Sequence, residues 1–273
     1  MKSQTYTLAD EDFLTLLERT DTTFRKLGIP FMFVGGIATQ AHIANYLCGE
    51  TKTLKDLVDS SDFRLQDYFR ATDDVDITLD KNGFPEVDFY KKLFEAFKEM
   101  SGENDGLFVS PSTDHLVSIS VERQGAKRPV FRLGIDKEAK DCERVVAFNL
   151  YKGPEDTNER WSQEIRDFEK QNYYDFMNRG VDMAVRYCPG KSIPLKIKRV
   201  EDLVATKLIR GRPKDWEDIL SLTTYSADAG KPINYEEIGK VLCKDDPKYG
   251  KSNLVFVEKF EQLMSHVKGH RAQ

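Results

Sequence analysis

The stretch RATDDVDITL, residues 70–79, places acidic residues inside a pattern that otherwise predicts a β-strand. Asp74 and Asp76 alternate with the apolar Val75 and Ile77, so both carboxylates should project from one face of the strand, with their backbones ~7 Å apart. Unpaired charge on a buried face is costly, so something must compensate these acids. Divalent ions would do so, because Mg²⁺ prefers oxygen ligands and is usually held by one or two carboxylates together with substrate phosphates. A solvated edge strand is the alternative explanation.

A pair of glycines lies upstream, between a predicted strand and a predicted helix. The apolar run PFMFV ends at Gly35-Gly36 and passes into IATQAHIANYL. Backbone N–H groups of such a turn can face an anion at the helix start. The spacing matches neither GxGxxG nor GxxxxGK[ST], so it indicates neither a Rossmann nor a P-loop site. A tight connection between strand and helix remains the alternative.

Basic residues gather late in the chain, around the turn KLIRGRPKDWED. Asp215 and Asp218 lie three apart there, on one face of a predicted helix. The cluster is a candidate contact for a triphosphate or a nucleic acid, and a solvated helix hairpin is the alternative. The basic residues are Lys196, Lys198, Lys207, Arg210, Arg212 and Lys214.

Composition limits the class of protein. The chain has 273 residues, 40% hydrophobic and 32% charged, with a net charge of −5. These values are typical of a globular protein and give no global attraction to nucleic acid or anionic membranes. The four cysteines form no CxxC pair, which argues against a zinc site and for reduced thiols in the cytoplasm. No apolar run approaches the ~20 residues of a membrane span, so we expect a cytoplasmic protein without membrane contact.

The order of elements predicts an α/β (α+β) fold. Strand patterns and helical patterns intermingle through residues 1–192, which should form a mixed sheet flanked by helices. Residues 193–273 are mainly helical in pattern, with a helix closed by Gly211 and another opened by Pro213. We therefore expect a C-terminal helical domain that completes a cleft, with a boundary near Ser192.

Taken together and in this order, the segments FVGGIATQAH, RATDDVDITL and VEDLVATKLIRGRPKDWEDI resemble the polymerase β-like nucleotidyltransferase superfamily. The resemblance covers some forty residues and is closest to minimal bacterial members, the abortive-infection toxins of the AbiEii type in type IV toxin–antitoxin systems. It implies a nucleotidyltransferase fold and transfer of a nucleoside monophosphate from a nucleoside triphosphate to an acceptor hydroxyl, with release of pyrophosphate. The acceptor would be the 3′ end of a transfer RNA or a protein, and the chain would act as a toxin in a toxin–antitoxin or phage-defence system, with an antitoxin as partner.

The resemblance also implies roles for individual residues. Gly35 and Gly36 would hold the phosphates of the nucleotide. Asp74 and Asp76 would be catalytic metal ligands for two Mg²⁺ ions, with Mn²⁺ as an alternative metal.

Five further residues would surround the nucleotide. Arg70 and Thr72 would shape the loop before the acidic strand. Lys207 would reach the triphosphate, and Arg212 with Asp215 would order the far wall of the cleft.

A third carboxylate is expected on a neighbouring strand. Asp136 is the first choice, as a metal ligand or as the base that takes a proton from the attacking hydroxyl. Glu122 and Asp182 are the alternatives. Without a third acid near Asp74 and Asp76, a catalytically inactive nucleotide- or partner-binding module becomes the better interpretation.

Overall fold

The structure is a computed structural model of the chain. It describes residues 6–60, 70–72, 74–81, 88, 92, 95–96, 117–123, 131–135, 143–151, 153–154, 162–242 and 254–270.

Among the described residues, side-chain capping and backbone preferences account for several helix ends. The first begins after Asp10, whose carboxylate accepts a hydrogen bond of 3.1 Å from the backbone N–H of Phe13. The main helices are α1 (Glu11–Lys26), α2 (Gly35–Cys48), α3 (Leu54–Val58), α4 (Gln163–Asn178), α5 (Val200–Arg210), α6 (Pro213–Asp228), α7 (Tyr235–Leu242) and α8 (Leu254–His270). Gly211 ends α5 in a left-handed conformation, and Pro213 occupies the first position of α6, as the sequence predicts.

In the described part of the chain, seven strands form one mixed sheet in the order β4-β3-β5-β2-β1-β7-β6. The strands are β1 (Phe31–Phe33), β2 (Asp74–Leu79), β3 (Val117–Arg123), β4 (Phe131–Ile135), β5 (Glu143–Tyr151), β6 (Val181–Cys188) and β7 (Lys191–Ile197). The central strand β1 pairs antiparallel with β2 and parallel with β7, and β2 pairs parallel with β5. The acidic strand therefore lies in the middle of the sheet and not at an edge.

The core lies where the central strands meet α1, α2 and α5. Phe33 of β1, Ile77 of β2 and Leu195 of β7 are fully buried, and Ile37 of α2 packs in the same cluster. Burial of this apolar surface is the main stabilising term for the fold, at about 25 cal/mol per Å². The helix α2 is consequently fixed on the sheet directly after β1, with its first residues beside β2.

The predicted fold class, a mixed sheet flanked by helices with a helical region behind it, is confirmed. The expected boundary near Ser192 falls inside β7, which pairs with β1, and the division into two domains stays a prediction. Among the described helices, none is long and apolar enough to cross a membrane.

Candidate active site

The two aspartates of β2 lie on the same face of the strand. Val75 and Ile77 are fully buried, whereas Asp74 and Asp76 are partly exposed. The alternation predicted from the sequence is therefore present, and it leaves both carboxylates on the face opposite the buried one.

Gly35 brings the start of α2 against Asp76. It has a φ of +60°, a conformation in which L side chains are strained. A Cβ at this position would lie 2.5 Å from Asp76 Oδ2, closer than van der Waals contact allows. Both backbone conformation and space thus require glycine here, and the absent side chain lets the Asp76 carboxylate approach the helix N-terminus.

The start of α2 offers donors to an anion. Its N-cap, Val34, makes no side-chain capping bond, and the backbone N–H of Val34 donates to the Asp76 carbonyl at 2.9 Å. The first turn of a helix carries N–H groups without intrahelical partners and a partial positive charge. The Gly35-Gly36 turn therefore partly compensates the charge of Asp76, and its geometry suits a phosphate.

Thr72 connects the two motifs. Its hydroxyl donates to Asp74 Oδ1 at 2.8 Å and lies 3.1 Å from where a Cβ on Gly36 would be. The backbone of Thr72 forms a β-bridge with Tyr6. Thr72 thus orients the Asp74 carboxylate and also packs against the second glycine.

Arg70 joins this loop to the C-terminal helices. Its guanidinium donates two hydrogen bonds to Asp218, each 3.0 Å long. Its carbonyl accepts from the Gln40 side chain at 2.9 Å, while Gln40 Oε1 accepts from the Leu8 N–H at 2.8 Å. Arg70 lies in the segment just before the acidic strand, and its partner Asp218 lies on α6.

Lys207 meets the same carboxylate from α5. Its ammonium donates to Asp218 Oδ2 at 2.6 Å, and both side chains are almost fully buried. Burial lowers the pKa of Lys207, against the opposing effect of Asp218. Asp218 therefore bridges two cations, Arg70 and Lys207, and fixes the wall of the cleft that faces β2.

Arg212 and Asp215 form a bidentate ion pair at the start of α6, with distances of 2.6 and 2.9 Å. Burial acts to raise the pKa of the Asp215 carboxyl, but the hydrogen bonds and charge of Arg212 outweigh it and hold that pKa below its usual value. The negative charge of Asp76 also acts to raise the pKa of Arg212, after the larger effect of Asp215. The pair holds the start of α6, and its role as the far wall of the cleft stays a prediction.

A cleft continues inward from Gly35 between the sheet and helices α4 and α5. Its walls include Thr78, Tyr151 and Lys207, and its volume is about 40 Å³. Burial, followed by the negative charge of Asp76, raises the pKa of Tyr151, so its hydroxyl is a neutral donor at neutral pH. Thr78 is two residues along β2 from Asp76 and on the same face of the strand, so the cleft borders the face that carries the aspartates, although neither aspartate is among its lining residues.

The third carboxylate is not found in the described part of the chain. Asp136 lies outside the described residues. Asp182 is on the edge strand β6, two strands beyond β1, where it pairs with Arg25. In backbone register, Glu122 of β3 lies opposite Arg144 of β5. Arg144 is three residues along β5 from Ala147, the register partner of Asp74, which is a distance of roughly 10 Å.

The strand next to the aspartates carries an amide where an acid is expected. Asp76 is in register with Asn149 of β5, and Asp74 with Ala147. Among the described residues, no three His, Cys, Asp or Glu side chains gather closely enough to hold a metal ion. An ion held by Asp74 and Asp76 would therefore need its remaining ligands from phosphate or water, which is the usual manner for Mg²⁺.

Sequence reasoning did not assign a role to Asp218 or Gln40. Asp218 was grouped with Asp215 by helical spacing alone, and its partners come from 148 and 11 residues away. Gln40 is one of the few polar residues of α2, and that polarity is the sequence feature that could have pointed to a buried hydrogen bond.

No protein-family model matches the chain, and no curated protein matches it. Six chains of known structure match. The antibiotic-resistance factor ANT(2'')-Ia, studied in solution, is 13% identical, covering 97% of this chain and 100% of its own, with a TM-score of 0.38. An antigenic nucleotidyltransferase-like protein from Paracoccidioides brasiliensis is 12% identical, covering 81% of this chain and 78% of its own, with a TM-score of 0.39. At these scores the likeness carries no inference about activity.

Proposed function

We propose that this chain is a metal-dependent nucleotidyltransferase that moves a nucleoside monophosphate from a nucleoside triphosphate to an acceptor hydroxyl. One observation carries the proposal. Asp74 and Asp76 share the face of β2 that meets the Gly35-Gly36 turn at the start of α2. A carboxylate pair then lies beside a helix start whose N–H groups would bind an anion, an arrangement that suits phosphoryl transfer.

Asp74 and Asp76 would hold Mg²⁺, or Mn²⁺ in its place. The metal, when bound, would neutralise the charge that develops on the transferred phosphate and on the leaving pyrophosphate.

The residues of the chain supply positioning and electrostatics. The N–H groups at Gly35 and Gly36 would bind phosphate oxygens, and Thr72 holds the Asp74 carboxylate in place through a 2.8 Å hydrogen bond. Lys207 is held by Asp218 and lines the cleft, where its charge would favour the triphosphate. These groups would hold the α-phosphate for in-line attack by the acceptor hydroxyl.

Label transfer tests this reaction. Each α-labelled nucleoside triphosphate is incubated with the protein, Mg²⁺ and total cellular RNA or protein. We expect label to enter one acceptor class with wild type and to be lost with Asp76→Asn, which keeps the shape of the side chain but removes its charge. Asp182→Asn is the matched control, because Asp182 lies on β6 and pairs with Arg25 far from the cleft. Equal labelling by wild type and Asp76→Asn would contradict the proposal.

The proposed biological role rests on the resemblance of the three sequence motifs to abortive-infection toxins. As an abortive-infection type of toxin, the protein would modify a transfer RNA 3′ end or a protein and would be countered by an antitoxin in the cytoplasm. Expression should then slow growth, and Asp74→Ala should relieve the effect. Continued arrest in that variant would count against catalysis as its cause.

A second function is favoured by the strand β5. Asn149, and not a carboxylate, is in register with Asp76. A chain without a third acid would serve as a nucleotide- or partner-binding module with little catalysis. Triphosphate binding that depends on Gly35, without label transfer to any acceptor, would favour this second function over the first.

A further inference from the structure

A buried amide lies in α2, about one helical turn after the glycine pair. Gln40 is only 1% exposed. Its Oε1 accepts a hydrogen bond of 2.8 Å from the Leu8 N–H, and its Nε2 donates one of 2.9 Å to the Arg70 carbonyl. A buried amide is costly unless it is hydrogen-bonded, and here both of its ends are bonded to backbone groups. Gln40 therefore ties α2 to an N-terminal strap, residues 6–8, and to the loop before β2, residues 70–72.

The strap and the loop before β2 are also joined to each other. The Tyr6 N–H donates to the Thr72 carbonyl at 2.8 Å, and the Thr72 N–H donates back to the Tyr6 carbonyl at 2.9 Å. The ring of Tyr6 stacks on Phe13 of α1, with 5.4 Å between the ring centres, which anchors the strap. Gln40, the strap and the loop thus form one closed hydrogen-bonded ring.

The loop before β2 carries side chains that contact three parts of the candidate site. The Thr72 hydroxyl donates to Asp74 Oδ1 at 2.8 Å. The Arg70 guanidinium donates twice to Asp218 on α6, at 3.0 Å each. A Cβ built on Gly36 would lie 3.1 Å from Thr72 Oγ1 and 3.9 Å from Arg70 Nη2, so the loop also packs on the glycine turn. The position of the loop therefore affects the acidic strand, the glycine turn and the ion bridge to α6.

The loop depends on hydrogen bonds from outside it. Arg70 and Ala71 belong to neither a helix nor a strand, so regular backbone pairing does not fix their conformation. The bond from Gln40 restrains the first of these residues, and the bridge to the strap restrains Thr72. Removing the Gln40 amide would take a partner from the Arg70 carbonyl and from the Leu8 N–H, a cost that movement of the loop towards water would relieve.

We infer that Gln40 is a positioning residue of the site: it fixes the loop before β2, and the loop in turn orients the Asp74 carboxylate and keeps Arg70 on Asp218. That Asp74 is oriented for a metal ion with a triphosphate rests on the proposed function. The positioning itself rests on the hydrogen bonds of Gln40 and of the strap. Its substitution should therefore change the site through the movement of the loop.

Hydrogen exchange of backbone amides tests the positioning on the full chain. Gln40→Met keeps roughly the size of the side chain and removes both hydrogen bonds. We expect the Tyr6 and Thr72 amides, which bond to each other, to exchange at least about tenfold faster in this variant than in wild type. Asn172→Leu is the matched control, because Asn172 is also a buried amide and donates to the Phe168 carbonyl within α4 at 2.9 Å. Unchanged exchange at Tyr6 and Thr72 in Gln40→Met would overturn the inference.

The affinity for Mn²⁺ together with a non-hydrolysable triphosphate analogue, measured by electron paramagnetic resonance, is the second readout. We expect Gln40→Met to bind roughly tenfold more weakly than wild type, an effect typical of groups that orient metal ligands, and Asn172→Leu to bind as wild type does.

A second variant tests the bond to the Arg70 carbonyl and does not depend on the folding of Gln40→Met. In Gln40→Glu an ionised carboxylate can accept from the Leu8 N–H but cannot donate to Arg70, whereas the protonated acid can do both. Its Mn²⁺ affinity relative to wild type should therefore rise as the pH is lowered. A ratio that stays constant with pH would contradict this role for the bond.

The two readouts separate this inference from the proposed function. Equal Mn²⁺ affinity in Gln40→Met and wild type would overturn the inference, even with faster exchange of the loop, and would leave the transferase proposal intact. If wild type binds no Mn²⁺ with the analogue, the proposed function falls, and the exchange at Tyr6 and Thr72 then decides whether Gln40 holds the loop.

Discussion

At the scale of single residues, Gly35 is the position where sequence and site are most closely connected. Its φ of +60° and the 2.5 Å approach of Asp76 Oδ2 to a Cβ built there leave room for no other residue. The glycine pair was predictable from the sequence because a strand ends there and a helix begins. Its contact with Asp76 was not, since that requires β1 and β2 to pair.

Substituting Gly35 and Gly28 in parallel separates the effect of backbone strain from the effect of contact with Asp76. Gly28 has a similar φ of +66° but nothing within 4 Å of a Cβ, so it is a matched control. We expect Gly28→Ala to lose about 1–2 kcal/mol of unfolding free energy through left-handed strain, and Gly35→Ala to lose at least as much because its Cβ would also meet Asp76. Gly35→Ala alone should also lose triphosphate binding, measured by equilibrium dialysis. Equal triphosphate binding in the two variants would count against the glycine turn as a phosphate site.

Asp218 is the residue on which the cationic side of the cleft depends. Asp218→Asn would leave the buried Lys207 ammonium and Arg70 without their shared counter-charge. We expect a loss of about 3 kcal/mol in unfolding free energy, as for broken buried ion pairs. Chemical denaturation measures it, with Glu217→Gln as the exposed control on the same helix. A loss below about 0.5 kcal/mol for Asp218→Asn, as for ordinary surface changes, would mean that the bridge contributes little.

At the scale of elements, α2 is tied to the C-terminal part through a buried histidine. His42 donates from Nε2 to the Lys198 carbonyl at 2.9 Å. Burial lowers the pKa of His42 to about 4 from an ordinary 6.5, so the imidazole is neutral in the folded protein. This contact links the helix of the glycine turn to the strand end that carries Lys198.

The histidine makes stability depend on pH. Between pH 6.5 and about 4 the unfolded chain binds a proton at His42 that the folded chain does not. The unfolding free energy should therefore fall as the pH drops through this range, by up to about 1.4 kcal/mol per pH unit from this group. His42→Gln keeps a donor for the Lys198 carbonyl and should reduce that slope, as measured by denaturation at several pH values. An unchanged slope would mean that other titratable groups cause the pH dependence of the unfolding free energy.

Elements with strong local signals could be predicted, and those that depend on distant pairing could not. The helix stop at Gly211 and the start at Pro213 are local chemistry and were predicted. The sequence does not predict the strand β7, because Pro194 lies within it and proline usually argues against a strand. It is tolerated at an exposed position opposite Ala184.

At the scale of the whole molecule, β7 connects the two parts that the sequence divides near Ser192. Ile193, Leu195 and Ile197 are fully buried, and Ile197 pairs with Phe33 of β1. The site is likewise shared, since Arg70 before β2 pairs with Asp218 on α6. A sequence-based boundary reflects composition, whereas the sheet is completed by a strand from beyond it.

Truncation tests whether the two parts of the chain fold as one unit. A chain of residues 1–192 lacks the buried part of β7 and should show no cooperative unfolding transition by circular dichroism. A chain ending at residue 242 keeps the whole sheet and should unfold cooperatively. A native-like transition in the shorter chain would show that residues 1–192 are an independent domain.

Binding of Mn²⁺, followed by electron paramagnetic resonance in the presence of a non-hydrolysable triphosphate analogue, tests most directly whether the acids of β2 hold a metal against a phosphate chain. We predict that wild type and Asp182→Asn form the protein-bound Mn²⁺ complex with equal affinity, and that Asp76→Asn forms it at least about tenfold more weakly, the loss expected for one charged ligand. Equal affinity in Asp76→Asn and wild type would contradict the account.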